Sequence, residues 1–300
     1  MTHRATMCAA GVVACAAALT MTSPGGAGSL DPPTGPIAPT DRVTLSTPLI
    51  GNLPYTISEP GSYVLTSDLR DCLECSDLPS NGLIIDADHV TVDLNGFSIY
   101  GDPFSSLDGI VVASGHTNIV IRNGFVRDWQ GDGIDLQQAT NSRVEHVTVS
   151  DCDEEGIHVG LACTVRDCAV SNCGGNGIEA QSGCLIRSCT SIGAGLDGIL
   201  AVPLATSNGT VIRDCVVRFA GGDGIDAADG CVVRGCAVSF SDAHGILGAP
   251  GCTITDNACT LNAGDGIGAV NSLVRGNTCL NNTGTGIVAP GSTVLENHAP

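Results

Sequence analysis

Three observations predict an all-β fold built as a parallel solenoid. Ten times a Gly-Ile or Gly-Leu pair opens a strand-like segment, at Gly82, Gly109, Gly133, Gly156, Gly177, Gly198, Gly224, Gly245, Gly266 and Gly286. Successive pairs lie 20 to 27 residues apart, a period too short for paired-helix repeats and suited to one coil of a β-solenoid. The residues between the pairs are rich in Val, Ile and Thr, without the regularly spaced leucines of leucine-rich repeats.

The elements follow in order along the chain. Residues 1–27 read as a secretory signal, with Arg4 as the positive start, Ala9 to Leu19 as an apolar stretch too short to span a bilayer, and Gly25-Gly26-Ala27 as small residues for cleavage. Residues 28–44, rich in Pro and Gly, read as a flexible leader, and 45–80 as a strand-rich N-terminal cap. Residues 81–300 hold about ten coils of roughly 21 residues, with three short strands in each. In the coil opening at Gly156, strand alternation turns Ile157 and Val159 inward and His158 outward, then Cys163 and Val165 inward and Arg166 outward, then Val170 inward. The glycine before each isoleucine is expected to supply a positive φ or a tight turn. Twelve positions after the glycine, Cys168, Cys189 and Cys236, with Cys215 once insertions are removed, occupy a slot that later coils fill with Asn257, Asn277 and Asn297. The last repeat stops at Pro300, so either the chain is a fragment or that end of the solenoid associates with something.

Composition excludes several functions. The formal net charge is −19, from 31 acidic and 12 basic residues, and the chain contains no lysine. Nucleic-acid binding needs clustered Lys and Arg to neutralise phosphates, and Schiff-base or Walker-loop chemistry needs a lysine. The same charge repels anionic polysaccharides unless a divalent cation bridges the two.

The chain resembles the pectin-lyase-like superfamily of right-handed, single-stranded parallel β-helices, and within it the secreted bacterial β-helix repeat proteins. The resemblance rests on Tyr55-Thr56-Ile57-Ser58-Glu59-Pro60-Gly61-Ser62-Tyr63-Val64-Leu65-Thr66, on Val90-Thr91-Val92-Asp93-Leu94-Asn95-Gly96, and on the repeats. It implies a secreted or extracellular location, at the cell surface or in the periplasm, and a groove on the first-strand face. The Asn-Thr-Asp, Asp-Asp, Gly-His-Gly and Arg-Ile-Lys motifs of polygalacturonases are absent, as is the Arg-x-Pro-x-x-Arg element of pectate lyases.

Sixteen cysteines are present, and export would permit disulfides. Cys72 and Cys75 form an isolated CxxC, read first as a local disulfide. Cys163 and Cys184, Cys231 and Cys252, Cys152 and Cys173, and Cys259 and Cys279 fall in adjacent coils. Side chains in register keep their Cβ atoms too far apart for easy bonding, so buried thiols are expected.

The candidate chemistry lies on outward positions. On the first strands they run Asp135, His158, Glu179, Leu200, Asp226, Leu247. Asp135 and Glu179 would stand about 9 to 10 Å apart at Cα, a spacing that fits the acid and base of inverting glycoside hydrolysis, with His158 between them and Asp226 beyond. The bland alternative is a row of solvated residues on an acidic protein. A second acidic line, Asp108, Asp132, Glu155, Asn176, Asp197, Asp223 and Asp265, is read as turn residues bonding their own backbone, with Asp132, Asp197 and Asp223 as candidate calcium ligands. Calcium is the only cofactor considered, and none is required. Arg122, Arg166, Arg187, Arg213, Arg234 and Arg275 recur on the second strands, either paired with neighbouring acids such as Asp167 and Asp214 or, at Arg166 and Arg187, gripping a ligand carboxylate. Phe219 and Phe240 occupy equivalent positions and are expected to stack. Trp129, the only tryptophan, is either a sugar platform at the groove edge or a packing wedge. The leading expectation is an extracellular scaffold that binds polysaccharide or cell-surface glycan. A polysaccharide hydrolase or lyase is the alternative, and a structural or adhesive surface protein the third.

Overall fold

A computed structural model describes residues 42–46, 53–70, 80–102, 106–202 and 209–299. The expected signal over 1–27, nearly all of the expected leader over 28–44, and the Cys72/Cys75 pair lie outside the described residues. Where description begins, Val43–Leu45 is already a strand, in parallel register with Tyr63–Leu65.

Every paired strand among the described residues is parallel to its neighbours, and no α-helix is present among them. The first strands of successive coils form one sheet of eleven strands, from Tyr55–Ile57 to Ile287–Val288. The second and third strands of each coil belong to a continuous 20-stranded sheet, because Val120–Trp129 and Arg143–Cys152 each run unbroken through both positions. The solenoid therefore has about eleven turns rather than ten. The additional turn comes from the segment expected to be a cap, in which Tyr55–Ile57 pairs with Leu83–Ile85 and Gly61–Val64 with Val90–Asp93.

Register explains the core. Ile134, Ile157, Ile178, Ile199, Ile225, Ile246 and Ile267 are successive partners, and each is fully buried. This is the isoleucine ladder that the repeat predicts. Each coil turns at single residues in the left-handed region, inside the two ten-residue strands as well as between the short ones. Between second and third strands that residue is Asn95, Asn123, His146, Asp167, Ser188, Asp214, Gly235, Asp256, Gly276 and Glu296 in turn, all with φ between 51° and 68°. Asn, Asp and Gly tolerate this conformation best, which accounts for their recurrence there.

One residue after this corner, the side chain turns inward. Here the cysteine-to-asparagine ladder forms: Asn257 Oδ1 accepts from Cys236 N–H (2.8 Å), Asn277 Oδ1 from Asn257 N–H (2.9 Å), and Asn297 Oδ1 from Asn277 N–H (2.8 Å). A parallel asparagine ladder that the repeat alignment does not reveal lies at the corner after the third strand. Asn262 Oδ1 accepts from Ser241 N–H, and Asn282 Oδ1 from Asn262 N–H, both at 3.0 Å.

The twelve described cysteines are free and buried. Cys259 and Cys279 are direct register partners, and Cys163 N–H donates to Cys184 Sγ at 3.3 Å. The thiols donate to nearby carbonyls, as Cys184 Sγ does to Gly160 O at 3.0 Å. Burial pushes the Cys252 thiol up to about 11, so it stays protonated and weakly nucleophilic at neutral pH.

The repeat glycines act for a different reason from the one expected. None of the ten has a positive φ; what they provide is space. A Cβ on Gly198 would overlap Val217 Cγ1 and come within 2.6 Å of the Gly224 carbonyl oxygen in the next coil. Gly198→Ala must therefore shift a backbone held by its ladder bonds, at a cost of about 1–3 kcal/mol. The expected result is a lower urea midpoint with an unchanged slope, which equilibrium unfolding would read directly.

Trp129 is the wedge and not the platform. It is 1% exposed, packs where Gly82, Gly101 and Gly109 leave no side chain, and donates Nε1–H to Ile99 O at 3.5 Å.

Candidate functional site

The outward row of the first-strand sheet assembles as register requires: Asp135 beside His158, His158 beside Glu179, then Leu200, Asp226 and Leu247. The structure brings together Asp135, His158 and Glu179. Asp226 stands two coils beyond Glu179 with Leu200 between, and it does not join them.

His158 is not the solvated outward residue that alternation implies. It is 9% exposed, because carboxylates wall it in. Its Nδ1 lies 3.6 Å from Asp132 Oδ2, and its Nε2 lies 3.4 Å from Glu179 Oε1. Nε2 makes no hydrogen bond, although it is shielded from solvent. Glu179 is held from its other side by Asn176, whose Nδ2 donates to Oε2 at 2.8 Å and also reaches Glu155 Oε1 at 3.4 Å. Asp135 Oδ1 accepts from Gln137 N–H at 2.8 Å, which anchors it to its own turn.

The acidic line before the glycines proves to be a ladder between coils. Apart from Glu155, whose Oε1 accepts from Asn176 Nδ2, its side chains cap the equivalent N–H of the following coil. Asp108 Oδ1 accepts from Asp132 N–H (2.9 Å), Asp132 Oδ1 from Glu155 N–H (2.8 Å), and Asn176 Oδ1 from Asp197 N–H (3.0 Å). Asp197 Oδ1 then accepts from Asp223 N–H and Asp223 Oδ1 from His244 N–H, both at 2.7 Å. Stacking carboxylates one coil apart places like charges close together with little water between them.

The electrostatics follow from that crowding. Burial, opposed in part by the His158 contact and assisted by the Glu155 charge, pushes the Asp132 carboxyl up to about 7. Burial favours neutral His158, but the Asp132 contact and the Glu179 charge outweigh it, and its pKa is raised overall. Burial together with the charges of Asp197 and Asp223 pushes Asp226 up to about 6. A carboxyl whose folded pKa exceeds its unfolded value near 3.9 contributes stability below that value and loses it as pH rises through the folded pKa. Asp226→Asn is therefore expected to stabilise the protein at pH 8 by about 1–2 kcal/mol after allowance for solvent screening, and to have no effect at pH 3. Urea midpoints across that range check the sign.

The expected calcium set is not assembled. Asp132 groups with Asp135 and His158, and separately with Glu154 and Glu155, whereas Asp197 and Asp223 belong to no such group among the described residues. The first of these groups, two carboxylates and an imidazole, is poor for calcium, which takes six to eight oxygens, whereas the second offers carboxylates alone.

The arginines occupy a different face. Arg166, Arg187, Arg213 and Arg234 are successive register partners on the second strands. Most are paired with acids: Arg166 Nη2 with Glu145 Oε2 at 2.6 Å and its Nη1 with Asp167 at 3.1 Å, Arg213 with Asp214 at 3.7 Å, and Arg234 with Asp256 at 3.4 Å. Arg187 has no ion pair among the described residues. Arg166 and Arg187 thus stand on the 20-stranded sheet, and His158 on the eleven-stranded one. Sequence reasoning missed the part played by Asn176 as the clamp on Glu179. The available signal was its position as the one amide among the carboxylates of the acidic line.

A parallel β-helix carrying an imidazole caged by carboxylates on its first-strand face defines the class. The family described as the right handed beta helix region matches residues 73–203 and 200–299, and the chain belongs to that family. No curated protein matches it by sequence. Among solved structures, the A-module of mannuronan C-5 epimerase AlgE4 from Azotobacter vinelandii is similar at 13% identity, with a TM-score of 0.58 over 80% of this chain and 86% of that one. The periplasmic alginate epimerase AlgG is similar at 12% identity, with a TM-score of 0.57 over 85% and 83%. A tailspike protein of E. coli bacteriophage HK620, solved with a pentasaccharide, is similar at 12% identity, with a TM-score of 0.51 over 79% and 59%. At these identities the likeness is one of fold.

Proposed function

We propose that this protein is a polysaccharide-binding β-helix that works outside the cytoplasm, at the cell surface or in the periplasm. The observation that carries the reading is the outward row of the first-strand sheet. There the half-buried carboxylates Asp135, Glu179 and Asp226 share one straight track with Leu200 and Leu247, one residue per coil. Carboxylates accept from sugar hydroxyls and leucines cover the apolar ring faces, and a coil spacing of about 4.8 Å repeats this pattern along a polymer. The signal-like residues 1–27 support export, and so does the periplasmic location of one protein of similar fold. No helix among the described residues is long and apolar enough to cross a membrane.

A second reading, a polysaccharide-active enzyme, is favoured by one observation: Asp132, His158 and Glu179 form a line of groups that could pass a proton at neutral pH. Against it, Asp132 is 5% exposed and His158 9% exposed, and Asp132 is tied into the ladder that holds the coils together.

Glycan binding by the full chain, measured on neutral and anionic polymers with and without calcium, tests the proposal. Binding to a neutral polymer that weakens at least several-fold in Glu179→Ala is the expected result. If no polymer binds, the reading is wrong.

A further inference from the structure

At the corner after the third strand, each coil again turns through one left-handed residue. In most coils that residue suits the conformation: Asp128, Asp151, Asn172, Gly193 and Asn281. Three consecutive coils break the pattern with Phe219, Phe240 and Leu261, at φ 56°, 60° and 60°. A bulky side chain in this region is strained by roughly 1–2 kcal/mol per residue. The strain is not repaid by burial, since the three side chains are 50%, 38% and 47% exposed. Two unfavourable features therefore coincide on the same three rungs, strained backbone and apolar surface left in water.

The side chains are nevertheless held in place. The phenylalanine rings stack with centroids 5.0 Å apart and planes 17° from parallel. The Arg218 guanidinium lies 5.2 Å from one ring centroid and 5.7 Å from the other, bracing the pair. The column forms one wall of a shallow, open depression of about 310 Å³. Asp242 and Thr283 also line it, and Asp242 makes no ion pair or side-chain hydrogen bond among the described residues.

We infer that this corner is a binding site for a neutral pyranose ring of a polysaccharide, a site separate from the first-strand track and resting on the polysaccharide-binding reading. An apolar wall beside a free carboxylate and a hydroxyl matches the two sides of a sugar, whose C–H face packs on hydrocarbon while its hydroxyls donate to a carboxylate. The Asp242 charge, in a chain of net charge −19, selects against uronate residues.

The test uses the full chain, calorimetric titration with neutral gluco-, manno- and galacto-configured hexasaccharides and with an oligogalacturonide, and the double variant Phe219→Asn/Phe240→Asn. Asparagine occupies this same corner at Asn172 and Asn281, so the variant is compatible with the fold, and relief of strain is expected to leave its melting temperature equal or higher. The inference expects at least one neutral hexasaccharide to bind the wild type, at least tenfold weaker binding by the double variant, and no binding of the oligogalacturonide to the wild type. Asp242→Asn should weaken the neutral ligand several-fold. A double variant that binds a neutral hexasaccharide as the wild type does would overturn the inference and leave the first-strand proposal standing. Binding of no glycan by the wild type would sink both.

Discussion

Trp129→Ala is expected to destabilise the protein by about 3–5 kcal/mol, the range for removing a large aromatic side chain from a core that cannot collapse around the void. Collapse is blocked here by the architecture. The indole fills the room left by Gly82, Gly101 and Gly109 in neighbouring coils, and those coils are fixed by bonds such as Gly82 N–H to Asp108 O (2.8 Å) and Gly109 N–H to Asp132 O (2.9 Å). Thermal unfolding of the purified variant reads the loss. The same residue supplies an internal reporter: a fully buried indole that touches no ligand should keep its emission maximum when glycans are added, and shift to the red only on unfolding. A glycan-induced shift in the folded protein would return Trp129 to the role of sugar platform.

Asn277→Ala is the second large effect, again about 3–5 kcal/mol, through polar groups and not through volume. Asn277 is 1% exposed and fully engaged. Its Nδ2 donates to Ile254 O (2.9 Å) and Asn297 Oδ1 (3.0 Å), while its Oδ1 accepts from Asn257 N–H (2.9 Å) and Asn257 Nδ2 (3.0 Å). Alanine leaves the buried Asn257 N–H without its acceptor and takes the amide donor from the Ile254 carbonyl, while Asn257 Nδ2 keeps only Val233 O (3.0 Å), and the penalty of the unmet groups exceeds the net value of the bonds themselves. Asn277→Cys should cost less, because Cys168, Cys189, Cys215 and Cys236 fill the same slot and direct their thiols to carbonyls, as Cys236 Sγ does to Arg234 O at 3.5 Å. Equal losses for alanine and cysteine would show that the slot tests size alone.

The fold was legible because a solenoid writes its register directly into the repeat. Residues one period apart are neighbours, so aligning the Gly-Ile pairs already placed Ile157 on Ile178 and Cys259 on Cys279. The first coil was missed because Tyr55–Ile57 lacks the glycine signature and could be recognised only by pairing with Leu83–Ile85. The site was less legible, for two physical reasons. Strand alternation says which side a residue faces but not how far its neighbours cover it, and so His158 read as solvated when carboxylates from the adjoining turn and coil enclose it. A corner side chain can bond its own turn or the next coil with identical sequence, and only coordinates show that Asp108, Asp132 and Asn176 choose the next coil. The strain at Phe219, Phe240 and Leu261 was hidden in the same way, since their equivalence was visible and their left-handed backbone was not.

The ladder also limits how the acidic residues can be used. Asp132 and Asn176 act as rungs, so substituting them confounds chemistry with stability. Among the described residues Glu179 and Asp226 accept no backbone N–H bond from the next coil, and they are the positions at which function can be probed with the least structural consequence.

Polymer chain length after incubation with the protein is the most direct check on binding without cleavage. Wild-type protein mixed with the polysaccharide it retains should leave the size distribution unchanged while the polymer co-sediments with it. New reducing ends, or the ultraviolet absorbance of unsaturated ends, appearing with the wild type and disappearing in Glu179→Ala, would contradict the account and establish an enzyme.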